Sequence, residues 1–438
     1  MTMRFSSPLP EGTFPPYDLL SWGITRSKYP LWMWLGLAVI VISECMLIFK
    51  IEPVYTHFTL VVWWGYILFL DGAIKRRRGV SFLADRPLFF IYMAVLSVFW
   101  WLVFEFYNCY LENWVYIGLP DNIVHRYCCY ILAYATITPA ILTTFEAALT
   151  FWPPAVDLDL HRRPQSKTLW CWFITGALCI TVPLFVPVRE IRHYLFAFVW
   201  VGFVFFIEPL ACWSKNYSLL RWWAAGGRSL VWNMFGAGAV CGLLWEFWNY
   251  WAGSKWLYTV PIFPTIRYFE MPVLGFLGFL PFAWECIVLT VLTTLVIGSV
   301  RINPHCALPA FAGKWTARVL FISLFAVLYL AYSIHDYKYF PWTRFNFTLP
   351  ASANSVDNEA ADMEKFLDSL LEMGTRDDTL TVDAFPRRWS PESATRDNLA
   401  RLGRLQRHPD SRIREFSDRT LRAYAVSARF NWANLREE

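Results

Sequence analysis

The sequence predicts an all-α, polytopic membrane protein built as a helical bundle. Of its 438 residues, 56% are hydrophobic and only 17% are charged. The apolar residues form runs long enough to cross a bilayer, which takes about 20 residues of helix. These runs are apolar on every helical face, a pattern that does not suit a single soluble domain. We expect about nine spans, near 30–50, 57–74, 87–107, 127–152, 168–188, 193–214, 229–251, 271–299 and 316–335.

The loops between these spans predict the orientation of the chain. K-R-R-R at 75–78 begins a series of loops that are richer in Lys and Arg than the alternate loops. Such loops stay on the cytoplasmic side of the membrane. We expect an integral membrane protein, in a bacterial cytoplasmic membrane. Its N-terminus would be cytoplasmic and its C-terminal tail outside. The net charge of +5 is small and lies in loops, so we expect no nucleic-acid partner.

A repeated pattern of acids indicates an internal duplication. F-E-F-Y-N at 104–108 and W-E-F-W-N at 245–249 each precede an aromatic turn and a proline, Pro120 in the first copy and Pro261 in the second. Each copy has four spans, so both enter the membrane in the same direction. Carboxylates recur at three matching points, as the pairs Asp71 and Glu208, Glu105 and Glu246, and Glu146 and Glu285.

Five segments follow from this pattern. They are a cytoplasmic N-terminal segment at 1–29, membrane repeats at 30–155 and 156–300, a ninth span with its flanks at 301–349, and a soluble helical tail at 350–438.

The tail is charged and carries helix signals. Ser390-Pro391 reads as an N-cap followed by proline at the first helical position, and His408-Pro409 separates two helices. The phrase H-P-D-S-R-I-R-E-F-S-D-R-T-L is similar to one HEAT-type repeat. Such a unit could bind a protein partner, or it could cap the membrane part as a helical hairpin.

Buried carboxylates are the candidate catalytic groups, because a carboxyl group inside a membrane is costly and is usually functional. In a dry pocket a neutral acid can deliver a proton and an ionised acid can remove one. Glu246 is the first choice, with Asn249 as its orienting amide, since residues three apart share one helical face. The alternative is that Glu246 lies at the wet interface and pairs with Lys255 or Arg267. The full set of candidate catalytic residues is Glu246, Glu285, Glu105, Glu146, Asn249 and Asn108.

Aromatic residues make up 19% of the chain. Packing and interfacial belts explain part of this content, and an aromatic-lined cavity for an unsaturated or cationic species is the sharper interpretation. The candidate substrate-binding residues are Trp245, Trp248, Trp256, Tyr258, Asp71 and Glu208. No C-x-x-C pair and no nucleotide-binding fingerprint is present, so we expect no metal and no cofactor.

The second copy places Glu246 ahead of W-L-Y at 256–258, and then Pro281 ahead of Glu285. This order resembles integral-membrane carotenoid enzymes, namely the lycopene cyclase domain of the small membrane type and the carotenoid hydratases. The cyclase motif has paired acids after the proline, whereas this chain has one. The resemblance implies proton delivery to an isoprenoid double bond, with Glu246 or Glu285 donating or recovering the proton and Trp faces shielding a carbocation.

We therefore expect an intramembrane acid–base enzyme that acts on an isoprenoid or carotenoid-like lipid. One alternative is a proton-coupled transporter, since parallel repeats also suit translocation. Another is a non-catalytic membrane scaffold subunit that docks through its tail. Acids that meet tryptophans around a lipid-sized cavity would favour the enzyme, and acids scattered at the two surfaces would favour the scaffold.

Overall fold

The computed structural model describes residues 28–297, except 112, 118, 121, 154–158, 160, 161, 215–217, 259 and 261–265, together with isolated positions from 322 to 420. Within this part, the prediction of an all-α polytopic membrane bundle is confirmed. Eight helical segments are long and apolar enough to span a membrane: Leu31–Ile48, Val54–Arg78, Pro87–Leu111, Val124–Phe151, Ser166–Phe185, Phe196–Trp213, Arg228–Trp251 and Val273–Thr293.

The two halves of the chain contain corresponding helices. Those of the first half are α1 (Leu31–Ile48), α2 (Val54–Arg78), α3 (Phe82–Asp85), α4 (Pro87–Leu111), α5 (Ile123–Tyr134) and α6 (Ile137–Phe151). Those of the second half are α7 (Ser166–Thr181), α8 (Arg189–Arg192), α9 (Phe196–Trp213), α10 (Leu219–Ala224), α11 (Arg228–Trp251) and α12 (Phe279–Ile297). Two 3-10 segments, Val182–Phe185 and Val273–Gly278, follow α7 and precede α12.

Helices α1 and α7 are the outer helices of the two halves. Only 17% of the most apolar stretch of each is buried, so their remaining surface suits contact with lipid. Each crosses its neighbour at a glycine. A Cβ atom would lie 2.4 Å from the backbone nitrogen of Phe69 if added at Gly36, and 2.2 Å from that of Phe206 if added at Gly176. The same close backbone approach therefore occurs in both halves.

Short strands join the halves at one end of the bundle, here called the strand end. Strand β1 (Trp114–Ile117) pairs antiparallel with β2 (Lys255–Tyr258), and the register sets Trp114 opposite Tyr258 and Tyr116 opposite Trp256. Trp114 and Trp256 hold equivalent places in the two copies, as do Tyr116 and Tyr258. This register is the one that a two-fold axis between the copies would produce. Strands β3 (Arg267–Tyr268) and β4 (Met271–Pro272) form a second short pair.

The span predicted at 127–152 corresponds to the segment Val124–Phe151, and its helix is interrupted between α5 and α6. Pro139 lacks a backbone N–H, and its ring would clash with the carbonyl four residues earlier, at Ala135. Ser97 compensates for the break: its hydroxyl donates to the Tyr134 carbonyl at 2.5 Å and accepts from the Thr138 N–H at 2.9 Å. In the second half Pro281 lies in the first turn of α12, where a missing N–H breaks no helical hydrogen bond.

The predicted ninth span at 316–335 and the tail at 350–438 fall largely outside the described residues, as do the N-terminal segment and Pro261. Of the isolated positions, Phe325 stacks near Phe99 with ring centroids 6.0 Å apart, and Tyr329 lies near Tyr127. The HEAT-like character of the tail stays a prediction.

Candidate functional site

A cavity of about 560 Å³ lies at the strand end, between the two halves. Its wall is mainly aromatic and aliphatic, and both copies contribute to it. The aromatic residues that carry the following argument are Trp101, Trp114, Tyr116, Trp245, Trp256 and Tyr258. Three of the predicted substrate-binding residues, Trp245, Trp256 and Tyr258, therefore share one wall.

Glu105 reaches this cavity through Tyr116. The Tyr116 hydroxyl donates to Glu105 Oε1 at 2.5 Å. The same oxygen accepts from the indole nitrogens of Trp101 at 2.9 Å and Trp114 at 3.1 Å. Glu105 is only 2% exposed, whereas the three donors line the cavity. The carboxyl group is thus hidden behind the wall and touches the cavity through side chains that can donate hydrogen bonds.

Glu246 repeats this arrangement with fewer partners. The Tyr258 hydroxyl donates to Glu246 Oε1 at 2.8 Å, and the Trp256 indole donates to the Tyr258 oxygen at 2.9 Å. Glu246 Oε2 is buried and has no hydrogen-bond partner among the described residues. In both halves, then, a tyrosine hydroxyl stands between a buried glutamate and the cavity.

The two phenols lie in the strands, outside the spanning helices. Burial raises the pKa of Tyr116 and of Tyr258 well above the ordinary value of 10.0, and the neighbouring Glu105 or Glu246 adds to the rise. Both phenols are therefore neutral near pH 7, and a neutral hydroxyl can donate one proton while it accepts another. This is the property that a proton relay needs.

The expectation that Asn249 orients Glu246 is wrong in its geometry. The Asn249 side chain instead bonds both backbone groups of Trp256, donating to the carbonyl at 2.8 Å and accepting from the N–H at 2.9 Å. Asn108 clamps Trp114 in the same way, at 2.9 Å and 3.1 Å. An amide carries both a donor and an acceptor, so it can satisfy both groups of one residue. The two asparagines position the aromatic strands.

The interfacial alternative for Glu246 is not what the structure shows. Glu246 is fully buried. Lys255 instead binds Glu270, with its ammonium nitrogen 2.6 Å from a carboxylate oxygen. Arg267 approaches the carbonyl oxygens of Glu270 and Tyr258, each at 3.4 Å. Lys255, the expected partner of Glu246, therefore pairs with Glu270 instead.

Glu146 and Glu285 are also buried, but neither lines this cavity. Glu285 follows the wall residues Pro281 and Phe282 by one helical turn, which places it beyond the cavity wall. Glu146 lies within electrostatic range of Arg78 and Arg86. Both carboxyl groups lack hydrogen-bond partners among the described residues. The cavity thus engages two of the four candidate glutamates.

Asp71 and Glu208, the two acids among the predicted substrate-binding residues, do not line this cavity, and each carboxylate binds the start of a short helix. Asp71 accepts from the Leu83 N–H at 3.1 Å, at the start of α3. Glu208 accepts from the N–H groups of Leu219 and Leu220 at 3.0 and 3.2 Å, at the start of α10, and from the Ser218 hydroxyl. Free N–H groups at a helix start are natural partners for a carboxylate.

Trp248 also lies off the cavity wall. Its indole nitrogen donates to Glu44 Oε1 at 2.8 Å, linking α11 to α1. This hydrogen bond is a contact between the two halves.

The candidate substrate-binding residues chosen from the sequence did not include Tyr116, Trp101 and Trp114, which also line the cavity. The signal was present, because Tyr116 and Trp114 occupy in the first copy the places of Tyr258 and Trp256 in the second. Sequence reasoning also missed that His57, His125 and Cys129 come together beside the cavity. His125 and Cys129 are four residues apart, a spacing that places both on one helical face.

No protein-family model, curated protein or solved structure matches this chain.

Proposed function

We propose that the protein is an intramembrane acid–base enzyme whose substrate is an unsaturated lipid of the isoprenoid type. The observation that carries this proposal is the paired relay: Glu105 behind Tyr116, and Glu246 behind Tyr258, on the wall of one aromatic cavity. Two relays of the same construction supply what proton transfer to and from a hydrocarbon requires, a donor and an acceptor in one dry pocket.

The residues of the cavity wall suggest how the proposed proton transfer proceeds. The Tyr258 O–H, which donates to Glu246 in this structure, turns toward the substrate and accepts a hydrogen bond from protonated Glu246. Tyr258 then gives its proton to a carbon–carbon double bond as it takes the proton of Glu246, and a carbocation forms on the substrate. The faces of Trp101, Trp114, Trp245 and Trp256 stabilise positive charge without attacking it. Loss of a proton from a neighbouring carbon to the Tyr116–Glu105 relay restores a double bond. The result is an isomerisation or a cyclisation that needs no cofactor. The site is restored when Glu105 releases its proton to water and Glu246 takes one from water.

The size and composition of the cavity support a lipid substrate. Its volume of about 560 Å³ lies within the range of roughly 300–1,000 Å³ typical of small-molecule sites. Neither Glu105 nor Glu246 is exposed, so a transport path would have to open through side chains that are packed closed here. The buried, paired position of these acids also speaks against a scaffold with acids spread over both surfaces.

The orientation in the membrane belongs to the same proposal. The basic run Lys75–Arg78 ends α2 at the end of the bundle opposite the strands. By the excess of basic residues on the cytoplasmic side, the N-terminus is cytoplasmic and the cavity opens toward the outer surface of a bacterial cytoplasmic membrane.

Deuterium transfer tests the function whatever the product is. The full chain in lipid nanodiscs is incubated in D₂O with acyclic polyisoprenes such as squalene or lycopene, and the lipids that copurify with the protein are followed in parallel by mass spectrometry. We expect solvent deuterium on carbon with the wild type. Glu246→Gln and Tyr258→Phe should lower the rate by about 10²-fold or more, the usual contribution of a general acid or base.

Glu44→Gln is the matched control, since it makes the same chemical change at a glutamate that is off the cavity wall and its amide oxygen can still accept from Trp248. We expect its rate to equal that of the wild type. If the wild type transfers no deuterium to any of these lipids, the proposed enzymatic function is refuted. A Glu246→Gln variant with the wild-type rate would refute the relay.

A further inference from the structure

A cluster of three potential metal ligands stands at the rim of the cavity, and the proposed reaction does not use it. His57 lies in the first turn of α2, and His125 and Cys129 lie one turn apart on α5. Their nearest ligand atoms all lie within 4.8 Å of one another. The two imidazole Nε2 atoms are 2.9 Å apart, and the ring planes are within 18° of parallel.

The hydrogen bond on the far side of His57 prepares its Nε2 atom for a ligand. His57 Nδ1 lies 2.7 Å from the carbonyl oxygen of Pro53. A carbonyl can only accept, so Nδ1 carries the proton, and a neutral His57 presents the lone pair of Nε2 to His125 and Cys129. Metal-binding histidines are typically oriented in this way, by a backbone carbonyl that fixes the tautomer.

We propose that His57, His125 and Cys129 bind a transition-metal ion of the zinc class. Two imidazoles and one thiolate suit zinc, and three protein ligands leave a fourth position open, as in exchangeable or catalytic sites. Adjacent nitrogen ligands of a tetrahedral zinc ion are roughly 3.3 Å apart. The imidazoles therefore separate slightly and the Cys129 sulfur moves inward when the ion binds.

The ion would connect two helices and face the cavity. His57 and Cys129 both contribute to the cavity wall, whereas His125 is exposed at the surface. The site therefore ties the start of α2 to α5 beside the opening. Among the described residues the second copy shows no matching group of three ligands, and its histidine just before α9, His193, is buried.

Zinc itself is the probe. The full-length protein in detergent is stripped with a chelator and titrated with ZnCl₂ against a chromophoric competitor. Cobalt substitution then reports a thiolate ligand through its charge-transfer absorption. We expect one equivalent of zinc in the wild type. His125→Gln and Cys129→Ser should weaken binding by at least about 100-fold, since loss of even an outer partner costs about 10–100-fold. Cys128→Ser, the adjacent exposed thiol, is the matched control and should bind as the wild type does.

A measurement on the wild type covers the case in which a variant fails to fold. Maleimide alkylation is mapped to individual cysteines by mass spectrometry, with and without zinc. We expect zinc to slow the alkylation of Cys129 and to leave the exposed Cys128 unchanged. Equal rates for Cys129 in both conditions, or zinc binding that survives Cys129→Ser, would overturn the site and leave only a histidine–histidine hydrogen bond. Neither result depends on turnover, so this test is independent of the proposed reaction.

Discussion

Two glycines of α11 make the packing beside the cavity testable by a matched pair of substitutions. A Cβ atom at Gly238 would lie 2.3 Å from the carbonyl oxygen of Phe279, whereas one at Gly236 would have nothing within 4 Å. Ordinary contact begins at 3.4 Å, so Gly238→Ala has to push the start of α12 away by about an ångström. The obstructing atom belongs to the backbone, which cannot rotate aside.

The magnitude follows from the difference between the two variants. Both replace a glycine inside a helix by alanine and gain about 1 kcal/mol of helix propensity. Only Gly238→Ala adds overpacking, which costs about 1–3 kcal/mol. We therefore expect the free energy of unfolding of Gly238→Ala to lie about 1–3 kcal/mol below that of Gly236→Ala, and Gly236→Ala to be at least as stable as the wild type.

Reversible unfolding of the reconstituted protein in mixed detergent micelles measures both values. Because Phe279 also lines the cavity, Gly238→Ala should retain less copurified lipid as well. Equal stability of the two variants, within about 0.5 kcal/mol, would show that α11 and α12 do not cross at Gly238 as described.

Three further outcomes are expected. Asn249→Ala should lower the free energy of unfolding by about 2–4 kcal/mol, because two buried hydrogen bonds to the backbone of Trp256 are lost. A loss under 1 kcal/mol would contradict the role of Asn249 in holding β2. A double-mutant cycle of Lys255→Met and Glu270→Gln should give a coupling free energy of about 1–3 kcal/mol. Exposed ion pairs give ~0–1 kcal/mol, but these two side chains are only 20% and 10% exposed. Burial raises the pKa of Tyr258, so its phenol stays neutral as the pH passes 10. Ultraviolet titration up to about pH 11 should therefore count equal numbers of phenolates in the wild type and in Tyr258→Phe. One phenolate fewer in the variant would contradict this.

The sequence predicted the helices well because the spans depend on local composition. A long apolar run reports a membrane helix whatever it packs against. The matching glutamates also indicated that the two copies share one location, since Glu105 and Glu246 hold equivalent positions behind one cavity. The break at Pro139 could have been predicted from the proline itself.

Contacts between distant residues could not be predicted in this way. A carboxylate in an apolar run has the same appearance whether it faces a cavity, as the Glu246 relay does, or caps a helix, as Asp71 does. Ser81 and Ser218 were the available signals for the caps, because serine before a short helix is a typical N-cap and both accept from the helix start. The pairing of β1 with β2 depends on how the two copies face each other, and four-residue strands carry too little pattern to reveal it.

The two relays differ in a way that assigns their roles. An ionised carboxylate only accepts hydrogen bonds. Glu105 Oε1 receives four, from Trp101, Trp114, Tyr116 and, at 3.5 Å, Tyr134. Glu246 receives one, from Tyr258, and its Oε2 has no partner among the described residues. A single donor fits a carboxylic acid that keeps its own proton, as proposed for Glu246. Four donors fit a carboxylate that is ready to accept a proton, as proposed for Glu105. In the proposed reaction, the second copy would therefore supply the proton and the first copy would accept it.

Infrared difference spectra between the wild type and its variants test this division directly. The carbonyl stretch of a protonated carboxylic acid is separate from the bands of a carboxylate. We expect Glu246→Gln to remove one protonated-acid band at neutral pH and Glu105→Gln to leave that band in place. Loss of the band in Glu105→Gln alone would reverse the assignment, and the proton would then travel from the first copy to the second. Loss in neither variant would mean that both glutamates are ionised, and the cavity would then lack the acid that the proposed reaction requires.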